Sequence, residues 1–175
     1  MNLLELDATT RELMRAEIEH DIVTGCLYIS PRLSEVGESQ YGAKLLEAVE
    51  VGNVHSFVAA LSVSGVMRQS ETYVRSGVER TKKVPVTAPV TLGEGEFNRY
   101  YIRALAARTL SEGGAQVQVV RAKDVEHPRP ESEMRVGALI DADALLDDLR
   151  SNIAVDTALG VPAGPNSGLS VRMVY

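Results

Sequence analysis

The sequence predicts an α+β fold, and three observations lead there. Segments with helical spacing, punctuated by caps and glycine stops, fill the first 65 residues. That periodicity disappears between residues 66 and 90, where β-branched residues and prolines take over. A long capped helix follows, and short strand-like segments then alternate with one more helix. The 175 residues suit one compact unit with a sizeable core. Three parts are expected within it: an N-terminal helical region (1–65), an extended arm or edge hairpin (66–91) and an α+β core (92–175).

Thr9 and Glu12 have capping-box spacing and open a helix over 9–24. Met14, Ile18 and Ile22 recur every four residues along it, and Gly25 supplies the stop. Residues 26–29 read as a short strand or extended link, ended by Ser30 and Pro31. A second helix is expected over 39–51, with Tyr41, Leu45, Ala48 and Val49 inward and Gly52 at its end. Asn53 then caps a third helix, to about residue 63, that buries Phe57, Ala60 and Leu61.

Ser76-Gly77 is a turn signal at the centre of the next segment. Pro85 and Pro89 cannot donate ladder hydrogen bonds, so this region cannot be a central strand. Arg75, Arg80, Lys82 and Lys83 gather here beside Tyr73 and Val84. The local sign opposes that of the whole chain. A solvated arm accounts for this cluster better than a phosphate site does. Val84, Val86 and Val90 are too apolar to stay in water, so the arm is expected to reach another subunit.

The long helix is expected over 92–112, with Thr91 and Glu94 as a second capping box and Gly113-Gly114 closing it. With two Phe, six Tyr and no Trp in the whole chain, the core must be mainly aliphatic. Yet Phe97, Tyr100 and Tyr101 all sit in this helix, interleaved with Asn98, Arg99 and Arg103. That mixture marks a central packing element or an interface. Phe97, Arg99, Tyr100, Tyr101 and Arg103 are therefore the interface candidates, and Tyr73, Arg75, Lys82, Lys83 and Val84 are those of the arm.

Beyond it, residues 116–121 read as a strand, 123–133 as a loop and 134–140 as a strand. Asp141 caps a helix to about residue 150, with Leu145, Leu146 and Leu149 inward. A turn-dense loop spans 160–168. Leu169, Val171 and Met173 then alternate with Ser170 and Arg172 in a terminal strand over 169–175. The three strands are expected to form a small sheet packed under the long helix.

The charge excludes some functions. A formal net charge of −6 and a pI near 5.1 argue against nucleic-acid binding over the whole surface. Cys26 is the single cysteine, so no intrachain disulfide can form and a reducing, cytoplasmic setting is expected. It follows a helix C-terminus, where the dipole disfavours a thiolate, and reads as a small core residue. The first residues lack the basic and apolar regions of a signal peptide, and no apolar run is long enough to span a membrane.

No residue set makes a convincing catalytic or metal centre. Glu17 and His20 have the spacing of a metal-binding pair, with Glu47 and Glu50 as further carboxylates, but Glu19 and Asp21 beside them indicate a solvated acidic face. His127 stands among Asp124, Glu126, Glu131 and Glu133, a setting that can raise a general base. A charged loop explains it better. The 160–168 loop lacks the Lys-Ser/Thr ending of a phosphate loop. No catalytic residue, metal or cofactor is expected.

The expected role is that of a structural or interaction protein, a subunit of a homo- or hetero-oligomeric assembly in which it associates with itself or with other chains. The order of a two-stranded arm, a long helix and a small sheet resembles that of tailed-phage capsid proteins and encapsulin-like shells. The resemblance implies a shell-forming role and a place in the cytoplasm or in a phage-type particle. The alternative is a small enzyme or nucleotide-handling domain with a site around Arg99, Arg103 and the 123–133 loop.

Overall fold

The computed structural model describes residues 1–153, 159–161 and 167–174. The fold is α+β, as expected. Three helices lead: α1 (Ala8–Thr24), α2 (Glu35–Glu50) and α3 (Val54–Leu61). A hairpin of β1 (Ser70–Arg75) and β2 (Val78–Lys83) precedes the long helix α4 (Ala88–Ser111). Then come β3 (Gln116–Arg121), α5 (Pro130–Arg135), β4 (Leu139–Asp141), α6 (Ala142–Ser151) and β5 (Leu169–Met173).

Helix α4 is the centre of the molecule. Helices α1, α3 and α6 and strands β3 and β5 all pack on it, so most of its residues are buried whichever way they face. This explains its weak amphipathic pattern, since a helix with no solvent side needs no polar stripe. Beneath it lies an antiparallel sheet in the order β4-β3-β5. Val117 lies opposite Met173 and Val119 opposite Val171, and all four side chains are buried. The terminal strand is thus paired as its alternation predicts. Near its end, Glu5 caps the outer side of the sheet. One carboxylate oxygen accepts from the Met173 N–H at 3.0 Å and the other from the Tyr101 hydroxyl at 3.0 Å.

Several element boundaries differ from expectation, each for a local reason. Asp7, not Thr9, caps α1, its carboxylate accepting from the Thr10 N–H at 2.9 Å. Ile22 is largely exposed, while Met14 and Ile18 are fully buried. Ser34 caps α2, which therefore begins before residue 39. Helix α4 begins at Ala88, and Pro89 lies buried in its first turn, where a missing N–H costs nothing. Thr91 and Glu94 are thus inside the helix, and Glu94 pairs with Lys123 at 2.6 Å. The loop and strand expected over 123–140 resolve into α5, opened by Pro130, and a short β4. Gly137, at φ 87°, separates the two. Cys26 is partly exposed and belongs to no strand. The 160–168 loop lies mostly outside the described residues.

Candidate interaction site

Two places in this fold concentrate the residues singled out by sequence: the interior around α4 and the hairpin that precedes it. Phe97, Tyr100, Tyr101 and Arg103 are at most 1% exposed, and Arg99 is buried as well. All five contribute to the chain's own core. The outward surface is built from other residues.

The interior holds a chain of charges. Arg103 donates to both carboxylate oxygens of Asp21, at 2.5 and 3.1 Å, and its Nε donates to Glu17 at 2.8 Å. Arg150 approaches Glu17 from α6. The Tyr100 hydroxyl donates to Asp21 at 2.8 Å, and the Arg103 guanidinium lies 5.0 Å from the Tyr100 ring centroid. Burial pushes both carboxyls upward, but hydrogen bonds from Arg150 and Arg103 to Glu17, and from Arg103 and Tyr100 to Asp21, hold both below their usual range. One turn before Arg99, Glu96 is pushed up to about 7 by burial, which Arg99 at 3.8 Å and Arg103 only partly offset. Its Oε2 and the Tyr41 hydroxyl are buried without a hydrogen-bond partner among the described residues. Arg99 donates to the Leu149 and Asn152 carbonyls.

Glu17 is therefore held by two arginines, Arg103 and Arg150. Among the described residues no group of histidine, cysteine or carboxylate side chains has the arrangement of a metal site. His127 is exposed in the 122–129 stretch, and Glu133 pairs with Arg121.

The hairpin is the opposite of this interior. Ser76 and Gly77 both have positive φ, 53° and 75°, which is the type I′ turn that matches the twist of a two-residue hairpin. Tyr73 lies opposite Arg80, Arg75 opposite Val78 and Glu71 opposite Lys82. Alternation therefore gathers Tyr73, Arg75, Val78, Arg80 and Lys82 on one face. Lys82 sits over the Tyr73 ring at 5.3 Å and reaches Glu71 at 3.1 Å. Arg32 binds the same carboxylate at 2.6 Å, anchoring the hairpin root to the helical body. Toward the tip no described residue covers the strands: Val74 is 71% exposed and Val78 55%. Among the described residues neither strand pairs with a third. A groove of about 550 Å³ opens at the root, lined in part by Ser34, Val63, Met67, Arg68 and Val86. Val84 is half-buried there, its N–H bonded to the Gln69 carbonyl at 3.0 Å.

No protein-family model, curated protein or solved structure matches this chain. No helix among the described residues is long and apolar enough to cross a membrane. Sequence reasoning located the hairpin but not Asp21, Glu96 or Tyr41 as members of a buried polar cluster. Their spacing along the chain carries no sign of it, because the partners meet from three helices.

Proposed function

We propose that this protein is a structural subunit that assembles with other copies of itself or with other chains, using its projecting hairpin as the arm. One observation carries the reading. A two-stranded ribbon with both faces and both outer edges in water is marginally stable alone, yet this one carries exposed valines and an aromatic–arginine face beside the helical body. Burial against a neighbour accounts for those residues, and a free edge is a ready template for it. The succession of arm, long helix and small sheet adds support, since it resembles the order in shell-forming capsid proteins. The setting is the cytoplasm or a phage-type particle.

The alternative of a nucleotide-handling site around Arg99, Arg103 and residues 123–133 is the weaker one. Both guanidinium groups are buried and held by carboxylates or carbonyls, so neither faces a ligand.

The test compares the full chain with a variant whose residues 70–83 are replaced by a short glycine–serine link, by sedimentation velocity over a wide concentration range. The full chain should associate with rising concentration, while the variant stays monomeric with unchanged far-UV circular dichroism. Two indistinguishable monomers would overturn self-assembly.

A further inference from the structure

Strand β5 is closed on its outer side near Met173 by Glu5. Among the described residues strand β4 has no such cover. Ala138 and Ala142 bond toward β3, so by alternation Leu139 and Asp141 present backbone groups away from it. Around this edge the surface is unusually apolar for a solvated rim: Met134 is 77% exposed, Leu139 51% and Val136 42%. The exposed charges on its flanks are mainly acidic, with Arg129 and Arg150 the exposed cations among them. Glu131, Asp143 and Asp147 are all exposed, and among the described residues none of them forms an ion pair.

The hairpin has the complementary make-up. The face that carries Tyr73 exposes Val78, Arg75, Arg80 and Lys82, while Val74, Glu79 and Lys83 lie on the other face; of these cations only Lys82 forms an ion pair among the described residues. Both surfaces offer unpaired strand backbone, both carry apolar side chains in water, and their charges have opposite sign. They also belong to different parts of the fold, β1 and β2 packing chiefly on each other.

We infer that the basic face of the hairpin docks on the acidic, apolar β4–α5–α6 edge of a second copy of this chain. The contact is head-to-tail, so repetition generates a ring or an open array according to the angle between copies. This inference rests on the assembly reading above and adds to it the surface that receives the arm. Opposite charge steers the encounter and fixes the register, while Val78, Met134 and Leu139 leave water.

Charge reversal tests it. One variant carries Arg75→Glu and Arg80→Glu, and the other carries Glu131→Lys, Asp143→Lys and Asp147→Lys. All five positions are exposed, so folding should survive in both. Each variant alone should associate at least roughly tenfold more weakly than wild type, and mixing the two should restore association, because each then meets a complementary neighbour. If the acidic-edge variant associates like wild type while hairpin deletion abolishes association, this docking face is wrong and the assembly reading stands. A basic hairpin that instead binds single-stranded nucleic acid, in a chain that stays monomeric, would overturn both.

Discussion

Arg103 grips Asp21 with two parallel hydrogen bonds, at 2.5 and 3.1 Å, joining the central helix α4 to α1 across 82 positions of sequence. Such a pair contributes little net stability, because desolvating both ions offsets their attraction. Its consequence is geometric, since the fork accepts only one orientation of α1. Breaking one side leaves an uncompensated charge inside. Arg103→Met should therefore destabilise the fold by roughly 3–5 kcal/mol. Adding Asp21→Asn to it should cost less than the sum of the two single changes. Additive urea midpoints would show the pair to be uncoupled.

Phe97 is fully buried on the same helix, in a chain with one other phenylalanine. Its neighbours Leu105 and Tyr101, at spacings of four, are buried too. Truncation to alanine leaves a cavity that a helix packed on several sides cannot close. Phe97→Ala should cost on the order of 3–5 kcal/mol. A thermal melt superimposed on that of wild type would refute this.

Glu96 predicts an unusual pH profile. Its folded pKa is about 7, against about 4.5 for a free carboxyl, so the folded state holds the proton more tightly. Stability should fall as pH rises from about 4.5 to about 7, by up to about 3 kcal/mol, and level off above. Asp21 and Glu17 act in the opposite sense. Their depressed pKa values give a contribution that is present above the ordinary carboxyl range and lost as pH falls through their folded values. The two effects therefore oppose each other, and the decline between about pH 4.5 and 7 belongs to Glu96. Glu96→Gln should abolish that decline, and urea midpoints measured from pH 4 to 8 on both proteins would decide.

What was legible beforehand follows from how local each signal is. The capping of α3 by Asn53, the turn at Ser76-Gly77, the Asp141 cap and the alternation of Leu169, Val171 and Met173 depend on residues within a few positions of each other, and all appear as read. The start of α4 is hidden in the sequence because Thr91 and Glu94 mimic a capping box, while Pro89 serves equally well in an extended arm and in a helix's first turn. The anchors expected at an interface proved internal, since an arginine flanked by tyrosines looks the same whether its carboxylates come from its own chain or from a neighbour. Only the fold brings Glu17 and Asp21 to Arg103.

Two glycines should respond in opposite directions to the same substitution. A Cβ on Gly37 would stand 2.1 Å from the Val66 carbonyl oxygen, which itself accepts from the Ser34 N–H at the start of α2. Backbone cannot yield as a side-chain tip can, so Gly37→Ala should destabilise by roughly 1–3 kcal/mol. Gly95, inside α4, has no atom within 4 Å of the added carbon. There alanine only restricts the unfolded chain and favours the helix, a gain of about 0.5–1 kcal/mol. Melting both variants beside wild type checks the pair, and a loss of stability at Gly95 would refute the helix-propensity argument.

The terminal strand gives the last prediction. Leu169, Val171 and Met173 are at most 6% exposed, and they line the sheet beside Val117 and Val119. The Leu169 carbonyl also accepts from the Asn98 side chain at 2.8 Å, tying β5 to the buried helix. Ending the chain at Gly168 would remove three core side chains, leave the Asn98 amide without that acceptor and bare one whole edge of β3. An exposed apolar edge is a template for intermolecular pairing. The truncated protein should lose cooperative unfolding and aggregate at concentrations where the full chain stays clear. If light scattering and thermal melts match those of the full chain, β5 is dispensable and the sheet is held by α4 and β4 alone.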